Sequence, residues 1–146
     1  MHIVRRLPIR LALLAVTAAL LLALAPAALA GKGGGKSGGA TSSSLSLVLV
    51  NSTDGQPHWG QTVTFSVSTT ATDKPSVRLD CYQGGALVYT HSAGFYPSYP
   101  WPQSQNYILQ SSAWTGGAAD CTATLYYMNS RGTSVTLTTL SFPVYA

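Results

Sequence analysis

One stretch alternates more strictly than any other: Ala119, Cys121, Ala123, Leu125 and Tyr127 interleave with Asp120, Thr122, Thr124 and Tyr126. A period of two puts the two sets on opposite faces of a β-strand, one toward a core and one toward water. The pattern recurs upstream. Leu45, Leu47 and Leu49 alternate with Ser46, Val48 and Val50; Val63, Phe65 and Val67 with Thr64, Ser66 and Ser68; Val77, Leu79 and Cys81 with Arg78, Asp80 and Tyr82. Turn residues separate the runs: Asp54-Gly55 follows the first, Gly84-Gly85 opens a hairpin into residues 86–90, and Asn129-Ser130-Arg131-Gly132 turns the longest run back on itself. The last run offers two parities, Val135-Leu137-Thr139-Ser141 or Thr138-Leu140-Phe142, and residues 106–111 form a weaker strand. No window outside the N-terminal segment sustains a helical period. The expected class is therefore all-β, an antiparallel sandwich of about seven short strands.

Residues 1–30 are built differently. Arg5, Arg6 and Arg10 precede an apolar stretch from Leu11 to Ala25, and the segment ends in the small residues Ala28-Leu29-Ala30. This is the layout of a secretory signal peptide cleaved after Ala30. The alternative is an uncleaved membrane anchor, because residues 11–30 are long enough to cross an apolar layer of about 30 Å. Pro26 and the A-x-A ending favour cleavage, which predicts a secreted, extracellular domain with no stable membrane insertion afterwards. The Ala-, Leu- and Arg-rich composition of the segment is bacterial in character. Residues 31–44, GKGGGKSGGATSSS, hold no apolar side chain larger than Ala before the first strand. They cannot offset their ordering entropy by burial and read as a flexible, disordered linker. Residues 45–146 remain as a single domain.

The net charge of +4 is unevenly placed. Arg5, Arg6, Arg10, Lys32 and Lys36 lie ahead of the domain, whereas within it Lys74, Arg78 and Arg131 face Asp54, Asp73, Asp80 and Asp120. No basic surface is left to neutralise a row of phosphates, which excludes nucleic acid as a partner. Catalytic chemistry is equally short of material. The domain offers His58, His91 and the four aspartates, no Glu and no G-x-S-x-G elbow. The aspartates occupy turns or outward strand positions, and the histidines read as rim residues rather than a dyad. A blue-copper centre would need a His after Cys121, and none follows. The expectation is a protein that is not an enzyme, with no catalytic residues, metal or cofactor.

The most unusual segment is Phe95-Tyr96-Pro97-Ser98-Tyr99-Pro100-Trp101-Pro102. Its prolines predict an extended, largely polyproline conformation carrying four aromatic rings on a stiff loop. In one reading Tyr96, Tyr99 and Trp101 form a platform that stacks on sugar rings or docks a protein, since rigid aromatics bind with little entropy loss. In the other the loop is a lid over an open edge of the sandwich. A domain of about 100 residues needs large side chains in its core, which favours the lid. Trp59 and Trp114 read as plugs at the ends of the sandwich. Asn51-Ser52-Thr53 matches a glycosylation acceptor, expected to go unused in a bacterial chain.

The pattern from Leu45 to Ala146 resembles an immunoglobulin-like β-sandwich of the kind found in secreted bacterial proteins. Antibody-type domains join their second and sixth strands by a disulfide, with a Trp on the third strand and a Tyr two residues before the second Cys. Here Cys81 lies on the third strand, no Trp is on that strand, and Ala119 takes the tyrosine position. The resemblance thus carries over no ligand and no binding loop. It does imply that the third and sixth strands are neighbours in one sheet. Two cysteines in an exported domain are most simply partners, so Cys81 and Cys121 are expected to form a disulfide. The expected function is that of a secreted or surface-associated, non-catalytic domain with a binding or structural role toward an extracellular protein or glycan. The alternative is a carbohydrate-binding module that uses residues 95–102.

Overall fold

The computed structural model describes residues 41–146. The signal peptide expected over 1–30, and the linker expected over 31–44 as far as residue 40, lie outside the described residues. The strands are β1 (Ser43–Leu49), β2 (Thr62–Thr69), β3 (Ser76–Gln83), β4 (Ala86–Gly94), β5 (Tyr107–Ile108), β6 (Ala119–Met128) and β7 (Ser134–Val144), with a 3-10 turn at Pro102–Gln105. They form two antiparallel sheets, one of order β1-β2-β5 and one of order β4-β3-β6-β7. The all-β class and the seven strands are as the alternation predicts, and β1 starts within the expected linker, at Ser43.

Inner-face residues meet in a single core. Val63, Phe65 and Tyr107 from one sheet are buried with Val77, Leu79, Ala123 and Leu125 from the other, while Leu45, Leu47 and Leu49 pack half-buried against them. Each fully buried Val or Leu contributes roughly 1.5–3 kcal/mol. Tyr107 is the large residue that joins the sheets. Its ring meets Phe65 edge-on with centroids 5.2 Å apart, and its buried hydroxyl donates to the carbonyl of Val77 at 2.9 Å. Burial pushes its pKa up, so the phenol stays protonated and keeps donating.

Both parities read for the last strand occur. Leu125 pairs with Thr138 and Tyr126 with Thr136, which leaves Leu137 as the extra residue of a bulge. Val135 lies opposite Tyr127 before the bulge, and Leu140, Phe142 and Val144 align with Ala123, Cys121 and Ala119 after it. One inserted residue switches the phase.

Cys81 and Cys121 face each other directly in the β3–β6 ladder and are bonded, both of them buried. The sequence separation of 40 residues sets the loop that the bridge closes in the unfolded chain. For a loop of this size the chain-entropy model assigns about 4 kcal/mol. The double variant Cys81→Ala/Cys121→Ala is expected to unfold in urea with stability lower by about that amount, and an unchanged midpoint would show that the bridge does not stabilise the fold.

Candidate functional site

The chain leaves β4 at Gly94 and crosses to the other sheet through residues 95–106. Its conformation differs from the extended one expected. The Tyr99 N–H donates to the Tyr96 carbonyl at 3.0 Å, which closes a turn with Pro97 in its second position. Pro102 then opens the 3-10 turn, in which the Ser104 N–H donates to the Trp101 carbonyl at 3.0 Å. A fixed φ near −65° suits the second residue of a turn and the first residue of a helix as well as it suits polyproline. The prolines therefore fold the loop up instead of stretching it. The turn also consumes Asn106, whose N–H donates to Gln103 at 3.3 Å, and after Ile108 the Gln110 N–H turns back to the Ile108 carbonyl at 2.7 Å, so the strand expected over 106–111 is reduced to Tyr107–Ile108.

The four rings differ in burial. Phe95 lies flat against Tyr107, with centroids 6.5 Å apart and planes 12° apart, and meets Phe65 edge-on at 6.4 Å. Tyr96 and Tyr99 are half-buried. They meet edge to face at 5.3 Å and 71°. Trp101 stands against the Tyr99 ring at 5.9 Å and 81° and is 59% exposed. Gly94 permits this arrangement, because a Cβ at that position would overlap both tyrosine rings. The side-chain amide of Gln105 donates to the Gly94 carbonyl at 2.6 Å, and the Ser104 hydroxyl donates to the Trp101 carbonyl at 2.8 Å. His91 Nε2 donates to the Ser104 carbonyl at 2.9 Å, tying the turn to β4. Between the loop and β2 lies a groove of about 410 Å³, lined by Val67, Phe95, Tyr96, Pro97, Tyr99, Pro102 and Gln105.

At the opposite end of the sandwich the indoles have unequal roles. Trp114 is fully buried, with its Nε1 donating to Gly117 at 3.1 Å and its ring against Tyr89. It is the plug the sequence suggests. Trp59 is 38% exposed and donates to the Trp114 carbonyl at 3.0 Å. Asn51, in the acceptor-like Asn51-Ser52-Thr53, uses its side-chain oxygen to receive the Thr62 N–H at 2.9 Å, which extends the β1–β2 pairing by a side chain.

Of the histidines and aspartates, only His58 and Asp54 are in contact among the described residues. His58 Nε2 is 2.9 Å from Asp54 Oδ2, and His58 Nδ1 is 3.0 Å from the Ala146 carbonyl. The Asp54 contact is local to the β1–β2 loop, whereas the Ala146 contact arises where that loop runs beside the end of β7, with the Trp59 N–H donating to Tyr145 and the Tyr145 N–H to Pro57. Sequence spacing alone gives no sign of the Ala146 contact. Both ring nitrogens face oxygen acceptors, an environment that favours the doubly protonated imidazolium and leaves no free nitrogen to act as a base. The Ala146 carbonyl and the Asp54 carboxylate raise the His58 pKa, and the bonds from His58, Gln56 and Ser52 lower that of Asp54 to about 2. No family model, no curated protein and no solved structure matches this chain.

Two sets of measurements test this geometry. Phe95→Ala is expected to lower stability by about 2–4 kcal/mol, whereas Trp101→Ala leaves the thermal midpoint within about 0.5 kcal/mol of the parent. Equal losses would mean that Trp101 is a core residue. The second concerns pH. Raised above its unfolded value of 6.5, His58 contributes stability that is complete below that value and is lost as pH rises through its folded pKa. Asp54 contributes stability present above 3.8 and lost as pH falls through about 2. The pair therefore holds most firmly between those limits. NMR titration of the imidazole should give a midpoint above 6.5, and Asp54→Asn should lower it; a midpoint that ignores Asp54 would break the assignment.

Proposed function

We propose that this chain is a secreted, non-catalytic immunoglobulin-like domain that binds an extracellular partner through residues 95–102. Several features support the reading. The order β1-β2-β5 opposite β4-β3-β6-β7 is that of an immunoglobulin-like sandwich whose fourth strand lies beside the third. A buried disulfide is compatible with an oxidising compartment, as the signal-like residues 1–30 require. A bacterial source is in keeping with the composition of that segment.

The observation that carries the binding role is the division of labour in the loop. Phe95 anchors it in the core, while Trp101, braced by Pro100 and Pro102, presents 59% of its surface to solvent. A large ring held out on a stiff support loses little entropy on binding, and such rings dominate interface energetics. A carbohydrate-binding module is the second reading, favoured by the exposed indole and its capacity to stack on a pyranose.

Screening the domain against a glycan array and a displayed-peptide library, with Trp101→Ala in parallel, tests the proposal. Ligands recovered with the parent should lose at least about tenfold in affinity with the variant, whose melt stays unchanged. Ligands indifferent to Trp101, or none in either screen, would remove the loop from consideration.

A further inference from the structure

β2 is left without a strand partner along part of one side. The Thr62 carbonyl accepts from Val50 at 3.1 Å and the Thr70 N–H donates to Ser42 at 3.0 Å, so the even-numbered residues of β2 direct their backbone groups to β1. Alternation turns the N–H and C=O of Val63, Phe65, Val67 and Thr69 to the other side. Val63 meets Tyr107 of β5 there. Beyond it the 3-10 turn replaces the strand, held by the Thr64 hydroxyl donating to the Gln105 carbonyl at 2.7 Å. Among the described residues no backbone group pairs with the outward side of Val67. Val67 lines the aromatic groove.

Resting on the binding role proposed above, we infer that the groove receives an extended, uncharged peptide strand of a partner protein, which adds to β2 along this free edge. Hydrogen-bond complementarity demands extended backbone, because Val67 offers one donor and one acceptor in strand geometry. Charge complementarity selects a neutral strand: no Asp, Glu, Lys or Arg lines the groove, so a charged side chain would lose hydration without gaining a counter-ion. Ring geometry selects its side chains. The Tyr96 and Tyr99 planes that line the groove stand at 71°, which gives no parallel faces for consecutive sugar rings but forms a step that fits proline or aliphatic groups. In such a strand the residues bonding to β2 keep their N–H, and those between them can be proline at no cost to the pairing.

The probe is the peptide acetyl-Thr-Pro-Val-Pro-Thr-Pro-Val-amide, titrated into the nitrogen-15-labelled domain, with a version N-methylated at every Thr and Val as control. The parent peptide should shift the Val67 amide resonance and slow its hydrogen exchange, and N-methylation should weaken binding at least about tenfold. Val67→Pro, which removes the outward donor and leaves the β1 pairing, should weaken it similarly, with a lowered melt because the Val67 side chain packs against the core; if that variant does not fold, the N-methylated control decides alone. Equal binding of the two peptides, an unaffected Val67 amide, self-association of the domain through this edge, or no binding at about 1 mM would each overturn the inference. Cellohexaose and xylohexaose run as a separate arm. If they perturb Tyr99 and Trp101 while the peptide does not, the peptide strand is excluded and the binding role of the loop survives; if no ligand of either kind touches the loop, both fail.

Discussion

The hydroxyl of Tyr107 is buried between the sheets and bonded to a carbonyl of β3, and this bond limits where the chain can run on either side of it. A phenol taken out of water without a partner costs on the order of 1–3 kcal/mol, so the ring is held where Val77 can receive it. That position draws β5 against the first residues of β2 and no further. It also places the Tyr107 ring face where Phe95 can lie flat on it, with His91 edge-on at 5.0 Å on another side. Both ends of the aromatic segment are therefore fixed to one residue. What lies between has to turn compactly, and the prolines supply the turns.

The parts of this architecture that depend on local alternation are legible in the sequence. Leu45 to Leu49, Val63 to Val67, Val77 to Cys81 and Ala119 to Leu125 all show which side faces inward, and the two parities of the last strand are both real because Leu137 is bulged between them. The Cys81–Cys121 pairing follows once the third and sixth strands are neighbours. The misreadings have nonlocal causes. Pro97 and Pro102 fit a polyproline segment and a pair of turns equally well on backbone angles, and only the tethers of Tyr107 to Phe95 and Val77 select the turns. The His58–Ala146 contact arises because the loop runs beside residues 145–146, which no short-range pattern encodes.

The candidate site was half legible for the same reason. Composition singles out Tyr96, Tyr99 and Trp101, since no other stretch concentrates rings and prolines in this way. Which rings are core and which are surface is decided by packing. Phe95 and Tyr107 compete for the space beside Phe65, and once both are seated the shorter reach of the loop leaves Trp101 outside. A packed ring and an exposed ring therefore occur on the same short loop.

Gly94 links this packing to the chemistry of the groove. As the final residue of β4 it is buried, and both Tyr96 and Tyr99 occupy the volume that a methyl group would take. Those two rings also line the groove, and the Gly94 carbonyl receives the Gln105 amide at 2.6 Å. A sandwich needs no glycine at the end of an edge strand for its own stability, since a larger residue normally improves strand propensity. The absence of a side chain here leaves the room that the two tyrosines fill beside the groove that Val67 also lines.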